Sequence, residues 1–181
     1  GALLYPITKA EYQAGSVPTP AQLFSHSDQS VVWQQTRADA PDRRGWGGRL
    51  ADMFYASNTN QQLSMNISID GENVFQAGDE VIPYFVGQGG AEGIWYVEPW
   101  QADRRAAFIA LRDAAHGNAL QRQFASVVRR SMNNQVMVNG ALEGETPLTT
   151  TFPDTHLGRQ LQMVARLIHV RNTLQMQRQI F

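Results

Sequence analysis

Between Leu63 and Asp70 apolar and polar residues alternate without a break, Leu63, Met65, Ile67 and Ile69 against Ser64, Asn66, Ser68 and Asp70. A period of two is that of a half-buried strand. Asp70-Gly71 is a turn dipeptide, so the pattern predicts a small antiparallel hairpin in which Glu72 to Gln76 return with Val74 inward. A further apolar run, Val81 to Val86, follows Gly78-Asp79, and its Pro83 lacks a ladder donor, which suits an edge position. From Asp103 the period becomes helical. Asp103 caps a helix with Ala107, Phe108, Leu111 and Ala115 inward and Gly117 as its stop; Asn118 opens the next, with Leu120, Phe124, Val127 and Val128 inward. Asn139-Gly140 and Gly144 read as turns, and Thr149 to Thr151 as loop or short strand. The last long element, Leu157 to about Gln175, carries Leu157, Leu161, Val164 and Ile168 as one stripe, with Leu174 beyond it.

The first third of the chain is more polar. Pro6, Pro18 and Pro20 surround Lys9 to Ala14, which predicts loop with at most one helical turn, anchored by Tyr5 and Tyr12. From Phe24 to Arg49 one segment gathers His26, Trp33, Trp46 and the glycines Gly45, Gly47 and Gly48. Ser25, Ser27 or Asp28 can cap a helix bearing Val31, Val32 and Trp33. His26 and Gln29 then lie in its first turn, where free N–H groups and the dipole favour an anion. The chain turns at Ala40-Pro41-Asp42, and Gly45-Trp46-Gly47-Gly48 leads into a second helix, Arg49 to about Tyr55, with Leu50, Met53 and Phe54 inward. If the two helix starts face one another, Ser25, His26, Gln29, Trp46 and Arg49 form a substrate-binding corner with His26 as the candidate catalytic group. The plain alternative carries equal weight: His26 hydrogen-bonds a loop, Trp46 anchors the core and the glycines make a tight turn.

Together these elements predict an α+β fold, mainly helical, with one small antiparallel hairpin, in a single domain or part of one. Residues 1–20 form a loop-rich arm, 21–57 a polar segment with two short helices, 63–86 the hairpin region, 103–176 a helical region, and 178–181 the start of a strand.

Several blocks in order carry a resemblance: LFSHSDQ, WQQT, GWGGRLAD, LSMNISIDGENVFQAGD, HLGRQLQMVARLIHVR and RQIF. The chain resembles the middle of a bacterial exported family described as domain of unknown function 1501, grouped with the alkaline phosphatase and sulfatase superfamily. The resemblance implies that the chain is an internal fragment of a larger, mostly parallel α/β domain. It further implies export by a twin-arginine signal to the periplasm or beyond, and a parent whose first strand and later Asp-Thr-His motif hold the metal or nucleophile. A divalent metal in the parent is then a possible cofactor, and the remainder of the parent chain is the expected partner.

Composition narrows the chemistry. The formal net charge of −1 makes no field for nucleic acid or an anionic membrane. With no cysteine, chemistry rests on oxygen and imidazole groups. Neither a P-loop nor a dinucleotide fingerprint occurs among the glycines from Gly87 to Gly93, and no H-x-x-x-H or H-E-x-x-H spacing joins the four histidines, so no metal ligands are assigned. His116 suits a helix end, His169 a polar surface, and His156 a loop near Asp154. No run of apolar residues is long enough to span a membrane. Three function classes follow. One, implied by the resemblance, is a hydrolase-like protein of the phosphatase and sulfatase class, to which this chain lends groups for a small anionic ligand without a complete catalytic centre. Another is a non-catalytic interaction or assembly module. The third is a surface- or carbohydrate-binding module using Trp95, Tyr96 and Trp100, which requires those rings exposed and coplanar.

Overall fold

Thr8 and Glu11 form a reciprocal capping box at the first helix, α1 (Lys9–Ala14), and Gly15 ends it in the left-handed region at φ 59°. The computed structural model describes residues 6–20, 22–37 and 43–181. The expected turn at Ala40-Pro41-Asp42 and the Tyr5 anchor lie outside them; Tyr12 meets Phe24 edge to face at 6.1 Å. The chain divides into two compact units, one running to Tyr84 and taking back Arg178–Phe181, the other Phe85–Gln177.

In the first unit, α2 (His26–Gln35) starts at Ser25, whose Oγ accepts the Asp28 N–H at 3.3 Å. Next come α3 (Trp46–Phe54) and a 3-10 turn, Tyr55–Ser57. The buried face of α3 is Gly47, Gly48 and Ala51, whereas the expected inward residues Leu50, Met53 and Phe54 are exposed. The absence of side chains decides this, because the helix lies so close to its neighbour that only Cβ-poor residues fit.

The expected antiparallel hairpin is corrected. After Ser68 the chain does turn, with Gly71 at φ 92°, but residues 72–83 wander as loop. The two short strands β1 (Ile67–Ser68) and β2 (Tyr84–Phe85) are parallel, the Tyr84 N–H donating to Asn66 O at 2.9 Å. A connection of this length permits parallel pairing, which a two-residue turn forbids. On the other side of β1, Ile180 makes a parallel bridge to Asn66, with Ile180 N–H to Met65 O at 2.7 Å and Ile67 N–H to Ile180 O at 2.8 Å. Leu63, Met65 and Ile67 are buried as their alternation required, yet Asn66 and Ser68 are buried too. The segment is enclosed on both faces, and the second face is polar.

The second unit is helical: α4 (Ala102–Asp113), α5 (Ala119–Glu143) and α6 (His156–His169). Asn118 caps α5 by accepting the Leu120 N–H at 2.7 Å, as its position suggested. Asp103 lies within the first turn of α4, and no side chain caps that helix. Asn139-Gly140 does not turn the chain, because α5 continues through it to Glu143. The core is Ala125, Val128, Met132, Val138, Ala141 and Leu142 of α5 with Met163, Leu167, Val170 and Leu174 at and beyond α6. The expected stripe Leu157, Leu161 and Ile168 is exposed, and Met163 and Leu167 are the buried residues of the helix; it ends at His169, short of the expected Gln175, and Val170 and the expected Leu174 are buried in the turns beyond it. Likewise no residue of α4 is buried, and Leu111, Leu120 and Phe124 are open to solvent. Leu157, Leu161 and Ile168 are as apolar as Met163 and Leu167, so periodicity alone does not choose between them.

Candidate functional site

Four of the five proposed members of the anion corner, Arg49, Gln29, Ser25 and Trp46, have a local occupation. Arg49 Nη2 donates to Gln35 O at 2.7 Å and to Thr36 Oγ1 at 3.0 Å, and Nη1 to Arg44 O at 3.1 Å. It caps the C-terminus of α2, where carbonyls lack helical partners and a cation is favoured. His26 is exposed in the first turn at the opposite end of α2, about 14 Å away along the axis at 1.5 Å per residue. The Gln29 amide leans back to Gln22 O at 3.4 Å. Ser25 is spent as the N-cap, with its Oγ 3.1 Å from Ser27 Oγ. Trp46 packs edge-on against Phe75, ring centroids 4.6 Å apart. The five residues Ser25, His26, Gln29, Trp46 and Arg49 therefore do not converge on one pocket. The helix that separates His26 from Arg49 is the physical reason.

Residues of the blocks WQQT, GWGGRLAD and LSMNISIDGENVFQAGD bond to one another across the first unit. Gln34 Oε1 accepts the N–H groups of Val74 and Phe75 at 2.9 and 3.0 Å. Asp52 accepts those of Asp79, Glu80 and Val81 at 2.8, 3.0 and 2.9 Å. Gly45 N–H donates to Ala77 O and Gly48 N–H to Phe75 O, at 2.8 and 2.9 Å, and a Cβ on either glycine would overlap the 74–78 backbone. Deeper in, Asn66 Nδ2 donates to Gln76 O at 2.6 Å, and Gln76 Nε2 to Ile67 O and Ile180 O at 3.1 and 3.2 Å. Asn58 pairs with both backbone groups of Arg178, each at 2.8 Å. A loop without secondary structure must have its buried N–H and C=O groups met by side chains, and these amides and carboxylates do that.

A concave site forms in the second unit. Asn139 Oδ1 accepts the Ala91 N–H at 2.9 Å while its Nδ2 donates to Ala91 O at 3.0 Å, which pins the end of the glycine cluster to α5. Gly90, at φ 121°, passes so close that a Cβ would stand 2.7 Å from Asn139 Oδ1. The following segment is folded tightly: Val97 N–H to Ile94 O at 3.2 Å, Gln101 N–H to Glu98 O at 2.9 Å, and Arg105 Nη1 to Val97 O at 2.9 Å. Tyr96 sits in the left-handed region at φ 66°, a conformation that costs a residue with a Cβ and clusters at functional loops. Val97 is buried, and the rings around it are not: Trp95 is 74% exposed, Tyr96 63% and Trp100 79%.

Trp95 and Trp100 line a cavity of about 330 Å³ with Glu92, Glu98, Arg105 and Gln135. Tyr96 does not line it. Its ring is inclined 71° to that of Trp95 and is covered by the Arg104 guanidinium, 5.7 Å from its centroid, so the coplanar three-ring platform is not formed. The sequence signal for the two tryptophans was the aromatic density of Ile94 to Trp100; the participation of Arg105 and Gln135 from α4 and α5 had none.

The remaining chemistry is local. His116 Nε2 lies 3.1 Å from Arg112 O at the end of α4, the helix-terminal role its position suggested, and His156 and His169 are exposed. Hydrogen bonds from Arg112 and then Arg129 hold the Asp113 carboxyl well below the usual carboxylate range and tie α4 to α5. Burial pushes the Tyr84 phenol up to about 12. Among the described residues no three His, Cys, Asp or Glu side chains gather as a metal site, and no helix is long and apolar enough to cross a membrane.

Comparison with protein-family models, curated proteins and solved structures gives no match to this chain.

Proposed function

We propose that this chain is a carbohydrate-binding module whose site is the cavity lined by Trp95 and Trp100, a two-ring site in place of the coplanar three-ring platform, which does not form. The observation that carries the reading is the pairing of two tryptophans, 74% and 79% exposed, with charged and amide groups on one cavity. Large exposed rings gathered at one cavity are what a binding surface presents. A pyranose offers both an apolar C–H face, which an indole covers, and hydroxyls, which donate to the carboxylates of Glu92 and Glu98 or accept from Arg105 and Gln135. Tight turns at Val97 and Gln101 hold the rings out before any ligand arrives, which lowers the ordering cost of binding.

The test is tryptophan fluorescence and calorimetry with soluble hexasaccharides of neutral and amino sugars. Trp95→Ala and Trp100→Ala should each weaken saturable binding about tenfold or more, as removal of a central aromatic anchor does. Trp33→Phe and Trp46→Phe, in the other unit, should leave it unchanged. Binding indifferent to both cleft tryptophans, or no saturable binding of any hexasaccharide, would sink the reading.

The resemblance to the phosphatase and sulfatase superfamily supplies a second reading, an exported hydrolase to which this chain lends binding groups. The parallel pairings of β1 with β2 and with Ile180 favour it, since a parallel sheet is what that superfamily implies. On this reading residues 1–181 with added Zn²⁺, Ca²⁺ or Mn²⁺ turn over neither aryl phosphate nor aryl sulfate, for want of an assembled nucleophile. Saturable turnover abolished by His26→Ala would place a complete centre inside this chain.

A further inference from the structure

A groove between α4 and α5, of about 430 Å³, shares no residue with the tryptophan cavity. Ala125 and Val128 of α5 form its buried floor, and Phe108, Leu111, Leu120 and Phe124 stand along it. Leu111, Leu120 and Phe124 are 70%, 79% and 69% exposed, and Val127, three residues on from Phe124, extends the same apolar face. The floor is met inside the fold, while the large side chains beside it have nothing over them. A trough between two helices is where a third helix seats its own ridge of side chains.

The charge around the groove selects the kind of helix. Residues 102–131 hold six arginines and two aspartates, in a chain whose formal net charge is −1. Asp113 serves two of those arginines at once, accepting from Arg112 Nε at 2.8 Å and from Arg129 Nη2 at 2.7 Å. Arg122, beside the turn between the helices, donates through Nη1 to two carbonyls, His116 O at 3.1 Å and Gly117 O at 2.9 Å, and these do not offset its charge. Positive charge is therefore in surplus at the end of the groove that Arg112 and His116 line. A second copy laid on this face would bring the same surplus, whereas a helix with carboxylates flanking its apolar stripe would neutralise it. The concave shape also suits a helix better than a flat bilayer: Leu120 to Val128 run for two turns, about 12 Å at 1.5 Å per residue.

We propose that this groove takes an acidic amphipathic helix of a partner protein. The partner's apolar residues at i, i+3, i+4 and i+7 lie against Leu111, Leu120 and Phe124, and its carboxylates face Arg112 and Arg122. The inference does not rest on the carbohydrate reading, and the two can fail separately.

The probe is a labelled peptide of about fourteen residues, with leucine at i, i+3, i+4, i+7 and i+11 and glutamate between them, followed by fluorescence anisotropy with the whole chain. It should bind saturably. The same peptide with lysine for glutamate, and one with its leucines shuffled off the stripe, should bind about tenfold or more weakly. Phe124→Ser and Leu120→Ser, at exposed positions that leave the core untouched, should each lower the affinity about tenfold. Arg122→Gln keeps a donor for the two carbonyls and removes the charge. It should weaken the glutamate peptide about threefold and leave a glutamine version unchanged, a split that a merely structural role for Arg122 would not give. No saturable binding of the glutamate peptide, equal binding of the lysine peptide, or affinity unmoved in both serine variants would overturn the proposal. A dimer of the chain that Phe124→Ser dissolves would overturn it in favour of a second copy, and capture by phosphatidylserine vesicles without binding of the peptide would do so in favour of a membrane.

Discussion

Residues 73–81 and 91–101 are both irregular, and they are held in opposite ways. The first is met along its length: Gln34, Asp52, Gly45 and Gly48 reach it from α2 and α3, and Asn73 and Gln76 bond within it. The second is fastened at Ala91 by Asn139 and at Val97 by Arg105, and between and beyond those points its indoles stand in solvent. A loop whose backbone is fully claimed by neighbouring side chains is scaffold. A loop pinned at two points, with large rings left outside, is available for recognition.

The comparison can be broken most directly at glycines. Gly48→Ala forces a Cβ into the Ala77 carbonyl, where only backbone could give way, and should cost on the order of 4 kcal/mol by chemical denaturation. A loss of a few tenths would mean that the 75–78 segment is free to move. Ile67→Ala removes a fully buried side chain beside that network and should cost about 2–5 kcal/mol, against no more than about 0.5 kcal/mol for Leu120→Ala on the open α5 face. Equal costs would show that the α5 face is covered. Asn139→Ala orphans both backbone groups of Ala91 and should cost about 1–3 kcal/mol. Its further effect is to loosen the fastened end of the second loop, seen as faster amide exchange at Ala91.

Smaller effects sharpen the contrast. Gly140→Ala meets nothing within 4 Å and lies inside a helix, so it should stabilise by up to about 1 kcal/mol, the opposite sign to Gly48→Ala. Tyr84, whose phenol is raised to about 12 by burial, favours the neutral form in the fold. Its contribution is complete below the ordinary tyrosine value near 10 and is lost as pH rises from there through about 12. Phenolate absorbance of the folded protein should therefore show one late-titrating tyrosine that Tyr84→Phe removes.

Much of the local structure was legible in residues. Ser25, Asn118 and Gly144 mark the helix ends that their chemistry suits, and Leu63, Met65 and Ile67 are inward as their alternation requires. These features depend on neighbours within a turn or on strand pleat, which a sequence carries directly. The tertiary structure decided what depends on distant partners. It placed α5 straight through Asn139-Gly140, because that asparagine's bonds go to Ala91 rather than into a turn. It also selected Met163 and Leu167 over the equally apolar Leu157, Leu161 and Ile168, and put β1 and β2 parallel in place of a hairpin. His26 and Gln29 were held away from Arg49 by the length of α2, while Trp95, Trp100 and Arg105 met the distant Gln135 at one cavity. Sequence specifies which groups want a partner within a few residues; which far group answers is fixed only when the backbones pack, since one apolar face or one free amide fits many partners until geometry excludes all but one.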